Sequence, residues 1–113
     1  MDCVFCKIVA GDIPTEFLHN DEDVAAFRDI NPVAPTHIII IPRKHIPALA
    51  DLSDDELPLM GKMVKVANML AQQEGILDKG YRVVINCGKE GGQVVPHLHM
   101  HLIGGRKVTD DMG

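Results

Sequence analysis

Three histidines stand at positions 97, 99 and 101 in the run PHLHMHLIGG, each separated from the next by one apolar residue. On an extended strand successive side chains point to opposite faces. This spacing therefore predicts His97, His99 and His101 on one face and Leu98, Met100 and Leu102 on the other. The repeat along such a face is about 6.5–7 Å, twice the strand rise. A row of imidazoles is costly as packing, whereas imidazole ligates metals, attacks as a nucleophile when neutral and moves protons near neutral pH. The residues alone leave three readings: a metal site, a nucleophile with helpers, or both. His19 has no such company and reads as a structural residue.

A second set of ligand-type side chains lies at the other end of the chain, where Cys3 and Cys6 form a Cys-x-x-Cys pair. Such a pair reads as metal-binding or redox-active rather than as a structural disulfide. A thioredoxin-type pair would follow a strand in a βαβ unit, which this one does not, so metal is the preferred reading. Cys87 stands alone and reads as a small, partly buried residue. The loop NCGKEGGQ leads into the histidine segment; Gly91 and Gly92 suit a turn, and beside the histidines they suit backbone amides closing on a phosphate.

These groups need a scaffold, and 113 residues with 46% hydrophobic composition suffice for one domain over 1–113. The formal charge of -5, from 16 acidic and 11 basic residues, argues against nucleic acid as the main partner. No apolar run is long enough to span a membrane, and the start MDCVFCK lacks the pattern of a signal peptide, so a cytoplasmic protein is expected.

VFCKIVA predicts a short helix over 4–10 ended by Gly11. TEFLHN and DVAAFRD predict a hairpin around Asp21 to Asp23, INPVAP a loop, and THIIIIP a strand over 36–42. Ser53 and Glu56 form a capping box for one long helix stopped by Gly75. Leu57, Met60, Val64 and Ala67 fall on one arc of that helix, and Leu59, Met63, Val66 and Leu70 on the next, which predicts a face covering a sheet. Pro58 sits awkwardly in the second turn. YRVVIN, over 81–86, and VVPHLHMHLI, over 94–103, predict the last two strands. The expectation is an α+β fold with an antiparallel sheet of about five strands, one long helix and a short N-terminal helix.

With its glycine-rich approach, His97-Leu98-His99-Met100-His101-Leu102 resembles the signature of the histidine triad family of nucleotide-binding hydrolases and transferases. The nearest branch is the nucleoside phosphoramidases related to protein kinase C-interacting proteins. FCKIVAGDIP, AFRDINPVAPTHIIIIPRKH, GYRVVIN and GGQVVPHLHMHLIGGR carry the resemblance from about Cys3 to Arg106. It implies that His99 is the nucleophile toward the α-phosphorus of a nucleoside monophosphate derivative, with one ring nitrogen held by an acceptor, for which a backbone carbonyl would serve. His101 then assists the oxygens or the leaving group, and His37 supports the triad.

The resemblance also implies that Asp29 holds the ribose hydroxyls, and that Phe5, Ile8, Phe27 and Ile30 form an apolar slot for a purine base such as that of an AMP or GMP derivative. Ordinary core packing accounts for those four almost as well. Asn86, Gly91, Gly92, Gln93 and Val94 would lie at the phosphate. Val94 stands where relatives carry a polar residue and Pro96 where they carry an aromatic one, which bears on the leaving group. Cys3, Cys6, His45 and His97 would bind a structural zinc, and the protein would be a homodimer. Two alternatives remain open: an adaptor with vestigial catalysis, and a zinc hydrolase in which all three triad histidines hold an open metal.

Overall fold

The isoleucines of THIIIIP are buried on both sides, which explains why that strand does not alternate with polar residues. The computed structural model describes residues 3–109. Within them, α1 (Val4–Ala10) is followed by β1 (Phe17–Asn20), β2 (Val24–Arg28), β3 (Thr36–Pro42), α2 (Leu57–Gln73), β4 (Tyr81–Val84) and β5 (Met100–Gly104). The five strands form one antiparallel sheet in the order β1-β2-β3-β5-β4. The α+β expectation and the short and long helices are borne out.

Each face of the sheet takes its own cover. Ile38 and Ile40 of β3 pack with Val24, Ala26, Met100 and Leu102 against Met63, Val66, Ala67 and Leu70 of α2. Ile39 and Ile41 point the other way and pack with Ala25 and Phe27 against Phe5 and Ile8 of α1. Period-two alternation along β2, β3 and β5 thus sorts apolar side chains into two layers. His37 shares its parity with Ile39 and Ile41, and His101 pairs with Ile39, so the histidines fall on the α1 side.

The long helix differs from expectation in two places. Of its two arcs, Met63, Val66, Leu70 and Ala67 face the sheet, while Leu57 and Val64 remain 53% and 47% exposed. The apolar half-circumference is therefore wider than the sheet covers. Pro58 is well placed: a 3₁₀ turn over Asp54–Glu56 absorbs the capping box, so α2 begins at Leu57 and Pro58 falls in its first turn, where a missing N–H costs nothing. The capping box itself is present, with the Ser53 amide donating to the Glu56 carboxylate at 2.9 Å. At the far end Gly75, at φ 74, and Ile76 donate to the carbonyls of Gln72 and Ala71, the paired bonds of a left-handed helix stop.

The last strand is shorter than the histidine spacing suggests. Residues 94–99 run outside the ladder, because Pro96 has no N–H to give, the His97 amide turns back to Val95 at 2.8 Å, and the Leu98 amide reaches Ile46 at 2.7 Å. Only His101 of the triad lies on β5.

Leu102 is fully buried between Ile38 and Val83 in the α2 layer. Leu102→Ala should lower the unfolding free energy by about 2–5 kcal/mol, measured as a shift of the urea midpoint with unchanged slope.

Candidate active site

With His97 and His99 off the ladder and His101 on it, the three triad rings meet three different partners. His97 is fully buried, and its Nε2 lies 2.9 Å from the Pro42 carbonyl, the last residue of β3. A carbonyl only accepts, so the proton is on Nε2 and the lone pair is on Nδ1. That lone pair faces Cys3 Sγ at 3.3 Å, Cys6 Sγ at 3.6 Å and His45 Nδ1 at 3.2 Å. Cys6 Sγ also lies 3.2 Å from His45 Nδ1.

All four donor atoms lie within 4.8 Å of one another. A tetrahedral zinc with Zn–N of about 2.0–2.1 Å and Zn–S of about 2.3 Å has ligand–ligand edges of about 3.3–3.8 Å, close to these separations. Burial, then the hydrogen bond to Cys3, pushes the Cys6 thiol above its ordinary value, the shift a bound cation would reverse. Two thiols and two imidazole nitrogens converging on one point fit a closed zinc site.

His99 takes the opposite tautomer. Its Nδ1 donates to the backbone carbonyl of His97 at 2.7 Å, which leaves the Nε2 lone pair free. Phe5 of α1 packs edge-on to both rings, with centroids 5.8 Å from His97 and 5.1 Å from His99. The His99 and His101 ring centroids are 5.0 Å apart, nearer than the strand repeat.

The proton on His101 is set from further away. The Val33 amide donates to His37 Nδ1 at 3.2 Å, so His37 carries its proton on Nε2. That nitrogen lies 2.9 Å from His101 Nδ1 and 3.4 Å from Asp29 Oδ2. Donation to His101 Nδ1 places the His101 proton on Nε2, the nitrogen turned away from His37. Burial first, then the His99 and His37 rings, hold His101 below its ordinary value of about 6.5. His101 is therefore neutral, with one N–H to offer.

His99 and His101 line a cleft of about 890 Å³, together with Phe5, Ile8, Phe27, Asp29, Ile30, His37, Asn86, Gly92 and Val94. Phe5, Ile8 and Phe27 form a buried apolar wall, whereas Ile30 and Val94 are 91% and 88% exposed at the rim. Asp29 Oδ1 accepts from the Asn31 amide at 2.8 Å, which steadies the carboxylate beside the cleft.

Gly91 and Gln93 are not among the lining residues. The Gln93 side chain accepts from the Gly88 amide and donates to the Pro47 and Val95 carbonyls, tying the loop to its surroundings. Gly91 lies against Cys87, where a Cβ would come within 2.3 Å of the carbonyl oxygen. Ile39 and Val95 also line the cleft, and the backbone groups of Val33, Pro42 and His97 orient the rings. Backbone partners carry no side-chain signature, so only the neighbouring prolines hint at them.

Among the described residues, no ligand cluster contains all three triad histidines. The open three-histidine metal is therefore not favoured. Asp29, His37 and His101 also group within ligand distance. Their geometry is that of a hydrogen-bond chain, since His37 Nε2 carries a proton where a metal would need a lone pair.

The HIT domain family model matches residues 10–108. The chain is 48% identical over 105 residues to the purine nucleoside phosphoramidase of Escherichia coli K12, covering 93% of this chain and 88% of that one. It is also 48% identical over 108 residues to a 14 kDa zinc-binding protein of Zea mays, covering 94% and 84%. A HIT family hydrolase from Legionella pneumophila superposes with a TM-score of 0.96 at 47% identity, over 99% of this chain and 100% of that one. The chain belongs to the HIT domain family, as the motif resemblance implies.

A histidine held neutral in the fold binds fewer protons than it does in the unfolded chain at any pH between its folded value and about 6.5, so stability must fall as pH falls through that window. Unfolding midpoints at pH 7.5 and 5.5 should show the loss, and His101→Asn should make it smaller.

Proposed function

We propose that this chain is a nucleoside phosphoramidate hydrolase acting on purine nucleoside 5′-monophosphate derivatives through a covalent nucleotidyl-histidine. The observation that carries the reading is the His99 tautomer, since its Nδ1–H is committed to the His97 carbonyl and its Nε2 lone pair lies at the cleft. The phosphoramidase named among its relatives supports the substrate class.

In the first step His99 Nε2 attacks the α-phosphorus, the P–N bond breaks, and the leaving amine takes a proton from water in the cleft while His101 Nε2–H donates a hydrogen bond to the reacting phosphoryl group. The His97 carbonyl stabilises the positive charge that develops on the His99 ring. In the second step the hydroxide left by that water attacks phosphorus under the same His101 hydrogen bond, and the P–N bond to His99 breaks. A nucleoside monophosphate leaves, and both rings return to their starting tautomers.

Asp29 accepts from the ribose hydroxyls, the wall of Phe5, Ile8 and Phe27 takes the base, and Ile30 closes over it from the rim. Asn86, Gly92 and Val94 lie at the phosphate and leaving-group end, with Gly91 and Gln93 shaping the loop that carries them. An adaptor with vestigial catalysis would have no use for two rings held in complementary tautomers.

Cys3, Cys6, His45 and His97 would hold a structural zinc, a reading that the zinc-binding relative also supports. The ion would brace the segment carrying His97, and with all four positions filled it has no water to activate. The chain is further read as a cytoplasmic homodimer without nucleic acid or membrane partners. No helix among the described residues is long and apolar enough to cross a membrane. Exposed Val64 of α2 and Val83 of the edge strand β4 offer apolar surface to a second copy.

His99→Ala or His99→Asn should cut turnover of an adenosine phosphoramidate by more than about 10⁴-fold while monophosphate binding survives. Rapid quench with labelled substrate should trap a nucleotidyl-protein in the wild type alone, and turnover close to wild type in His99→Ala would remove the covalent step.

Chelation, or Cys3→Ser with Cys6→Ser, should lower the melting temperature. A free metal concentration about 1000 times Kd contributes about 4 kcal/mol, which at roughly 4 °C per kcal/mol is about 15 °C. Metal content, melting temperature and turnover of the same samples test this: zinc lost with all activity but no stability would favour a catalytic ion.

A further inference from the structure

The hydrogen-bond chain that places the His101 proton has an outer end that the reaction does not touch. Beyond His37 it runs to the Val33 amide, and Val33 is itself gripped from outside. Arg106 donates to the Val33 carbonyl from Nε at 3.1 Å and from Nη2 at 2.8 Å, while its Nη1 donates to the Lys107 carbonyl at 3.0 Å. Two of the guanidinium's five N–H groups thus fork onto a single carbonyl, and another secures the fork itself.

The loop is built to transmit that grip over one residue. Pro32 precedes Val33 and has its φ locked, and Ala34 is restricted because Pro35 follows it. With stiff residues on both sides, holding the Val33 carbonyl also holds the direction of the Val33 N–H. The approach of Arg106 depends on Gly105, whose φ is +89 and whose Cβ would come within 2.9 Å of the Pro35 ring. The end of β5 therefore packs directly onto the loop it clamps.

We propose that Arg106 is a positioning residue that keeps the His101 proton on the cleft-facing nitrogen, acting through Val33 and His37. The order of donors is Arg106 to the Val33 carbonyl, Val33 N–H to His37 Nδ1, His37 Nε2–H to His101 Nδ1, and His101 Nε2–H to the reacting phosphoryl group.

His37 and His101 share one hydrogen bond that can run in either direction. If the Val33 amide drifts away, His37 is free to take its proton on Nδ1. Its Nε2 then accepts from His101 Nδ1–H, and the His101 nitrogen turned away from His37 is left bare. In that state His101 has no N–H to donate to the reacting phosphoryl group. Asp29 does not prevent the reversal, because its Oδ2 lies 3.4 Å from His37 Nε2, further than His101 Nδ1 at 2.9 Å. The arrangement stands on the coordinates, and its effect on rate rests on the hydrolase reading above.

Arg106→Ala and Arg106→Lys in the full chain separate the two. Imidazole ¹⁵N shifts in the metal-loaded protein report the tautomers of His37 and His101 without any substrate, and kcat and KM come from turnover of an adenosine phosphoramidate. The wild type should show both rings protonated on Nε2. Arg106→Ala should populate the Nδ1–H form of His101 and lower kcat about tenfold, a fraction of the 10²–10³ that loss of one transition-state hydrogen-bond donor costs, with KM little changed. Arg106→Lys, which keeps the charge but loses the fork, should recover part of both.

Arg106 is exposed, and the melting temperature of each variant shows whether the fold is kept. Should Arg106→Ala fail to fold, the lysine variant carries the same tautomer test. Unchanged tautomers in a folded variant overturn the proposal, whether or not kcat falls. A wild type that shows the expected tautomers but hydrolyses no phosphoramidate overturns the hydrolase reading and leaves the positioning role standing.

Discussion

The site depends on one hydrogen bond, from His97 Nε2 to the carbonyl of Pro42. A neutral imidazole has one proton and one lone pair, so committing the proton to β3 turns the lone pair toward Cys3, Cys6 and His45. The backbone of the same residue supplies the carbonyl that holds His99. Residue 97 thus anchors the N-terminal segment through its ring and orients the neighbouring imidazole through its main chain. Burial makes this strict, because a desolvated ring without partners would be expensive to keep.

The sheet provides the rigidity that such placement needs. β3 is covered on both faces, with α2 on one side and α1 on the other, so Pro42 and His37 at its two ends are fixed by the same row of isoleucines. Groups that must keep to within a fraction of an ångström are best carried on regular elements. Loops supply the rest: residues 94–99 leave the ladder to bring His97 to the cysteines, and the loop before β3 brings the Val33 amide to His37. Departures from regular structure are concentrated where side chains must converge.

Much of this was legible in the residues themselves. Alternation at 97–102 put Met100 and Leu102 on the face that α2 covers and set the histidines against α1. The isoleucine run marked the doubly covered strand, and Gly75 marked a helix end. Alternation from residue 94 predicts a strand throughout, yet it is equally consistent with an extended chain outside the ladder, where residues 94–99 lie. Helical periodicity likewise made Leu57 and Val64 part of the covered face, since the pattern records which residues are apolar and not how wide the opposing sheet is. Pro58 is misplaced only in a helix that starts directly at the capping box, without the intervening 3₁₀ turn that the structure has.

By itself the sequence determined which chemical groups are present and which of them share a face, because side-chain type and period-two geometry are local properties of the chain. The tertiary structure alone decided where each proton sits. A ring nitrogen is a donor or an acceptor according to the group it meets, and Pro42 lies 55 positions from His97 and His37 lies 64 from His101. Gln93 makes the same point from the other side, since its amide is bound to Gly88, Pro47 and Val95, and Pro47 lies 46 positions away. Contacts between residues so far apart follow from packing the two layers against β3, and no local pattern encodes them.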